Sequence, residues 1–225
     1  MGDVRRLIAF DLDGTLIDSR RDLADSANQL IEELGGRALS EDAIGRMVGE
    51  GARVLVMRAL AAAGLPHDAG AVLPRFLEIY DTRLLNHTTA YDGLLDVVRY
   101  AHEHARLAVL TNKPKRPSEQ ILEALGLRPF FQDVVGGDGP LPRKPDPAGL
   151  QALIDLAGAT PQTTLMVGDS TIDHQTAQRA GVRCCLTAYG YGYLMFPGDT
   201  LTGDEWIVTS AAELIPIVDR FRNNA

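Results

Sequence analysis

The sequence predicts an α/β fold: a doubly wound, Rossmann-like parallel sheet with a small helical cap inserted after the first strand. Three observations predict it. Short apolar runs, each ending in a polar or glycine-rich turn, recur at residues 7–10, 107–110, 133–135, 165–167, 183–187 and 206–208. They are apolar without alternation, as strands covered on both faces must be. Between them lie helical stripes: Leu94, Val97, Val98 and Ala101; Ile121, Leu122 and Leu125; Leu150, Leu153, Ile154 and Ala157; Leu214, Ile217, Val218 and Phe221. Finally, residues 17–90 break this rhythm, with helix patterns and no strand. Strand-to-helix connections take about 2–6 residues, so this stretch is an insertion.

The elements follow in order. The first strand, 7–10, runs into Asp11. In the insertion, Leu23, Ala27, Leu30, Ile31 and Leu34 form one stripe, stopped by Gly35-Gly36. Ser40 with Glu41 and Asp42 behind it is a helix start, since a hydroxyl caps the first amides and acids favour the positive helix end. A further helix covers residues 52–63 and ends at Gly64 and Pro66; Phe76, Leu77, Ile79, Tyr80 and Leu84 mark another. The expected division is therefore a catalytic core of residues 1–16 and 91–225 and a cap of residues 17–90. In open parallel sheets ligands bind beyond the carboxyl ends of the strands. The insertion leaves and returns there, so it can cover the site.

Composition narrows the function. The chain has 225 residues, 45% hydrophobic and 23% charged, enough for one core without disulfides. With 22 Lys+Arg against 30 Asp+Glu the net charge is −8, which argues against nucleic-acid and anionic-membrane partners. Cys184 and Cys185 are adjacent and read as small buried hydrophobes in a strand. The first apolar run is too short for a signal-peptide core, and no stretch approaches the roughly 18 apolar residues of a membrane span. A cytoplasmic location is expected.

Chemistry gathers at the strand ends. The first delivers Asp11-Leu12-Asp13-Gly14-Thr15, the second Thr111-Asn112-Lys113-Pro114. After the third comes Arg143-Lys144-Pro145-Asp146, and the fourth delivers Gly168-Asp169-Ser170-Thr171-Ile172-Asp173. Asp11, Asp13 and Asp169 are hard oxygen donors suited to Mg²⁺. With the metal in place, one aspartate can attack phosphorus and another, two residues away, can serve the leaving group as acid. Thr111 offers a hydroxyl to the phosphoryl oxygens, and Lys144 a charge that offsets nucleophile and phosphate together.

Phe10-Asp11-Leu12-Asp13-Gly14-Thr15-Leu16 resembles the first signature of the haloacid dehalogenase superfamily. Thr111, Lys144 and Gly168-Asp169-Ser170-Thr171-Ile172-Asp173 are similar to its second, third and fourth, in order. The resemblance implies a magnesium-dependent phosphatase working through an aspartyl-phosphate. Asp11 would be the nucleophile, Asp13 the general acid and base, Thr111 and Lys144 the phosphate-binding pair, and Asp169 the metal carboxylate. Asp13 would reach the metal through its backbone carbonyl, and Asp173 would lie behind the ligands or orient Lys144. An acid at Asp13 argues against C–halogen hydrolysis, because the dehalogenase branch lacks it.

Residues 47–60 resemble the cap loop and helix of phosphoglycolate phosphatases, as does Thr111-Asn112-Lys113-Pro114. The substrate implied is a small phosphate ester, 2-phosphoglycolate first. A sugar phosphate or nucleotide monophosphate comes next, and a phosphomutase or a non-hydrolysing phosphate-binding module after these. Asn112 joins Thr111 and Lys144 as an expected substrate contact. Arg53 is the candidate for a substrate carboxylate, and Glu50, where that loop often has Asn or Asp, would face the substrate.

Overall fold

A computed structural model describes residues 5–223. Strand β1 (Leu7–Phe10) opens it and is buried throughout. The chain then passes through β2 (Ile17–Asp18) into α1 (Arg20–Glu33), α2 (Glu41–Gly45), α3 (Ala52–Ala62) and α4 (Ala69–Asp81), and returns through β3 (Thr89–Ala90). The rest alternates: α5 (Leu94–His102), β4 (Arg106–Leu110), α6 (Lys115–Ala124), β5 (Asp133–Val135) and α7 (Ala148–Ala157) come first. Then follow β6 (Thr164–Gly168), α8 (Thr171–Ala180), β7 (Arg183–Thr187), β8 (Trp206–Val208) and α9 (Leu214–Asn223). The main sheet has the order β5-β4-β1-β6-β7-β8, and every neighbouring pair is parallel.

Side-chain alternation explains the uniformly apolar strands. Ile8, Phe10, Leu107, Val109, Leu165 and Val167 face one side, with Val97 and Val98 of α5, Ile121 of α6 and Val218 of α9. Leu7, Ala9, Ala108, Leu110 and Met166 face the other, with Leu150 and Leu153 of α7 and Ala177 of α8. Helices on both faces keep water from the central strands β1 and β6, which are buried throughout. Cys184 and Cys185, both buried and free, fall on opposite faces for the same reason.

All six expected strand positions are strands, and helices form where the stripes lie. Ser40 caps α2, its hydroxyl accepting from the Ala43 amide. One expectation is corrected. The stretch 17–90 holds strand after all, because Ile17 pairs with Ala90 and Asp18 with Thr89 in an antiparallel ribbon. Two-residue strands have no periodicity to read, and their partners lie some 70 residues apart in sequence. Among the described residues no helix is long and apolar enough to cross a membrane.

Asp22 secures this junction. Its buried carboxylate accepts from the amides of His87 (2.9 Å) and Thr88 (2.8 Å) and from the Thr88 hydroxyl (2.7 Å). Asp22→Ala is expected to destabilise the fold by about 3 kcal/mol, because the two buried donors of Thr88 and the half-buried amide of His87 lose a charged acceptor. Urea denaturation reads the effect. An unchanged midpoint would mean that water takes over the carboxylate's place.

Candidate active site

Strand pairing carries the signature residues to one rim. The Asp11 amide donates to Val167 O (2.8 Å) and the Thr111 amide to Val135 O (3.0 Å), so both residues prolong the ladders of their strands. Past β6, Asp169 is followed by Ser170 at the head of α8. The Ser170 amide and hydroxyl donate to Asp173 Oδ2 at 3.1 and 2.6 Å, fixing that carboxylate. Lys144, from the loop before α7, places Nζ 2.8 Å from Asp11 Oδ1 and 2.6 Å from Asp173 Oδ1. The Asp173 carboxylate thus accepts a hydrogen bond from the Lys144 ammonium.

Asp11, Asp169 and Asp173 bring carboxylate oxygens within 4.8 Å of one another, all buried. With all three carboxylates ionised, they and the Lys144 ammonium would carry −3 + 1 = −2 in a dry site. Burial lifts the Asp11 pKa to about 7, with Asp173 and Asp13 adding to the lift and Lys144 opposing it. Asp169 is raised well above the ordinary range by burial, then by Asp173 and Asp11. For Lys144, burial disfavours the charge but the Asp11 and Asp173 carboxylates outweigh it, and its pKa rises. Hard oxygen donors with an excess of two negative charges fit a divalent cation of the Mg²⁺ kind.

Glycines make this approach possible. Gly14 has φ of +86°, and a β-carbon there would overlap the Asp169 carboxylate. Gly190, from the turn after β7, meets the same carboxylate, and the Gly192 amide donates to Asp169 Oδ2 at 2.7 Å.

Asp13 goes elsewhere. Its carboxylate accepts from Lys113 Nζ at 2.9 and 3.1 Å and from the Ser19 hydroxyl at 2.5 Å, so its side chain is not in the acidic group. Lys113 is buried, and its Nζ lies 4.7 Å from the Tyr80 ring centroid. Burial works against its charge, but Asp13 prevails and its pKa rises.

A cleft of about 40 Å³ lies between cap and core. Asp11, Asp13, Thr111, Asn112 and Lys113 line one side, and Leu23, Val48, Leu55, Phe76, Leu77 and Tyr80 the other. Thr111 is buried, its Oγ1 accepting from the Lys113 amide at 3.2 Å.

Two expectations for the cap side need revision. Arg53 is exposed and is not among the residues lining the cleft; its guanidinium lies by Gly70, because its helix position turns it outward. Glu50 is ion-paired with Arg58 instead of facing the cleft uncompensated. Asn112 lines the cleft; its amide nitrogen donates to Gly49 O and to Lys144 O, both at 2.9 Å, and its buried Oδ1 has no hydrogen-bond partner among the described residues. It braces the cap loop against the lysine loop.

Sequence reasoning passed over Lys113, Ser19, Tyr80 and the turn after β7. A signal existed for two of them. Lys113 stands in the quoted Thr-Asn-Lys-Pro run, and residues 189–193 alternate tyrosine and glycine directly after an apolar strand. Nothing local marks Ser19 or Tyr80, which become neighbours of Asp13 and Lys113 only when the cap folds down.

Comparison with known proteins adds to this geometry. The profile of the haloacid dehalogenase-like hydrolases matches residues 8–187. A phosphoglycolate phosphatase of Rhodospirillum rubrum is 45% identical over 194 residues, covering 83% of this chain and 80% of that protein. A phosphoglycolate phosphatase of Pseudomonas putida is 42% identical over 200 residues, covering 85% and 72%. A crystal structure from Haemophilus somnus, described as a predicted phosphoglycolate phosphatase, superposes with a TM-score of 0.88 at 32% identity, covering 96% of this chain and 99% of that one.

Proposed function

The chain belongs to the haloacid dehalogenase-like hydrolases, and from that premise we propose that it is a Mg²⁺-dependent phosphomonoesterase whose substrate is 2-phosphoglycolate. The observation that carries this reading is the division of labour between two aspartates. Asp11 lies in the acidic group beside Lys144, whereas Asp13 is turned to the cleft and held by Lys113 and Ser19. This separation supports a role at phosphorus for the first and at the leaving oxygen for the second.

Asp11, Asp169 and the backbone carbonyl of Asp13 would hold the metal, with Asp173 beside them. When bound, the cation supplies positive charge that offsets phosphate and nucleophile together. A carboxylate oxygen of Asp11 attacks phosphorus, and the bond from phosphorus to the alkyl oxygen breaks. Asp13 gives its proton to that oxygen, so glycolate leaves as the alcohol. Water then attacks the aspartyl-phosphate, Asp13 takes a proton from it, and the bond to Asp11 breaks to free phosphate. Thr111 and Lys144 bind phosphoryl oxygens in both steps, because the charge stays on those oxygens.

Residues 17–90 act as the lid. Their apolar side chains over the cleft exclude water, and the brace from Asn112 to Gly49 holds the loop down. A volume of about 40 Å³ favours a leaving group of few atoms over a sugar or nucleoside. Phosphate release from 2-phosphoglycolate, a pentose phosphate, a nucleoside monophosphate and p-nitrophenyl phosphate, each with Mg²⁺ and with chelator, tests the reading. The highest kcat/KM is expected for 2-phosphoglycolate, with turnover lost on chelation. Comparable values for the pentose phosphate or the nucleotide would refute the substrate, and turnover indifferent to chelator would refute the metal.

A further inference from the structure

We propose that Lys113, with Tyr80 over it from the cap, is the residue pair that recognises a carboxylate on the leaving group and so sets substrate choice. This rests on reading the site as a phosphomonoesterase for a small carboxylate-bearing ester. Among the described residues that line the cleft, Lys113 is the only cation. Lys144 is engaged with Asp11 and Asp173, Arg58 with Glu50, and Arg53 lies outside the cleft.

Lys113 also has capacity left. Both of its side-chain bonds run to the one carboxylate of Asp13, whereas an ammonium carries three donors. The Ser19 hydroxyl already steadies Asp13, so orienting that group is not a task for Lys113 alone. Its Nζ lies 4.7 Å from the centroid of the Tyr80 ring, so ammonium and ring face the cleft together. The Tyr80 hydroxyl is buried and finds no well-aligned hydrogen-bond partner among the described residues. A buried hydroxyl without a partner is costly, and a carboxylate oxygen would satisfy it.

Position completes the argument. Asp13 serves the bridging oxygen, and in an α-phosphoryloxy acid the carboxylate carbon is two bonds from that oxygen. A cation held directly on Asp13 is therefore beside the carboxylate of such a substrate. The apolar side chains of the wall, among them Leu55, Phe76 and Leu77, offer it nothing.

The test compares 2-phosphoglycolate with ethyl phosphate, which has a methyl group where the former has its carboxylate. Wild type should prefer 2-phosphoglycolate. In Lys113→Met that preference, as a ratio of kcat/KM values, should shrink about ten- to a hundredfold, the loss of one charge-assisted contact. Lys113→Arg should restore part of it, and Tyr80→Phe should raise KM for 2-phosphoglycolate more than for ethyl phosphate. Equal losses on both substrates would show that Lys113 only positions Asp13, and would overturn the inference. A preference kept intact in Lys113→Met would overturn it while leaving the substrate assignment standing. A wild type without preference would overturn both. Should Lys113→Met fail to fold, Lys113→Gln and Tyr80→Phe carry the comparison, and unchanged preference in both overturns the inference.

Discussion

Asp11→Asn is expected to lower turnover by about 10⁴–10⁶, the range seen when a member of a covalent catalytic unit is removed, while the protein still folds. The amide keeps the shape but neither attacks phosphorus nor offers a charged ligand. The same variant tests the electrostatics. Burial lifts the Asp11 pKa from 3.8 to about 7, so without metal the folded state holds a proton there that the unfolded chain has released. Ionising Asp11 between those values costs stability, and the cost grows as pH rises from about 4 to about 7. In metal-free buffer, Asp11→Asn should therefore gain on wild type across that window and melt higher at pH 7. Added Mg²⁺ should narrow the gap by stabilising wild type. Calorimetric or fluorescence melts decide it: parallel pH profiles for the two proteins would disprove this charge balance.

Lys144→Met is expected to be the most damaging change to stability in the site. It takes the buried group from −2 to −3, since Asp11, Asp169 and Asp173 then face one another with no cation. Breaking a buried pair on one side costs about 3–5 kcal/mol, on the order of 10 °C in melting temperature for a chain of this size. Turnover should be lost as well, because the phosphoryl oxygens lose their cation. Arginine is not expected to rescue, since Nζ sits 2.8 and 2.6 Å from two carboxylates with no room for a guanidinium fork. Saturating Mg²⁺ should recover part of the stability and none of the activity. A melting temperature equal to wild type would mean that protons, not Lys144, neutralise these carboxylates at rest.

The core of this protein was legible because its signals are local. Ile8 and Phe10 face one side and Leu7 and Ala9 the other, and a strand buried on both sides announces itself as a plain apolar run. Asp11, Thr111 and Asp169 follow such runs directly, so their convergence comes from the parallel sheet itself. Lys144 and Asp173 lie a few residues further on and were legible through the signatures they resemble. The cap side was harder. An arginine at a helix start looks available for an anion, but helix phase decides whether it points inward, and Arg53 points out. The bonds from the Asn112 amide nitrogen to Gly49 O and Lys144 O join separate loops and had no local signal. Ser19 and Tyr80 had no local signal because their roles are contacts between separately encoded elements.

The ribbon of β2 and β3 has a consequence for how such an enzyme can change. The outgoing and returning chains are hydrogen-bonded neighbours, with Ile17 opposite Ala90 and Asp18 opposite Thr89. Everything the lid contributes is therefore spliced in at one point, across a gap that a tight hairpin could close. Asp11, Lys144, Asp169 and Asp173 all lie outside that splice, and so do the strands that carry them. A lid of another length or shape can be exchanged there as a cassette without moving any atom that handles the phosphoryl group. On the proposed roles, the share of substrate choice made by the lid, Tyr80 included, would travel with the cassette, and the share made by Lys113 would stay with the sheet.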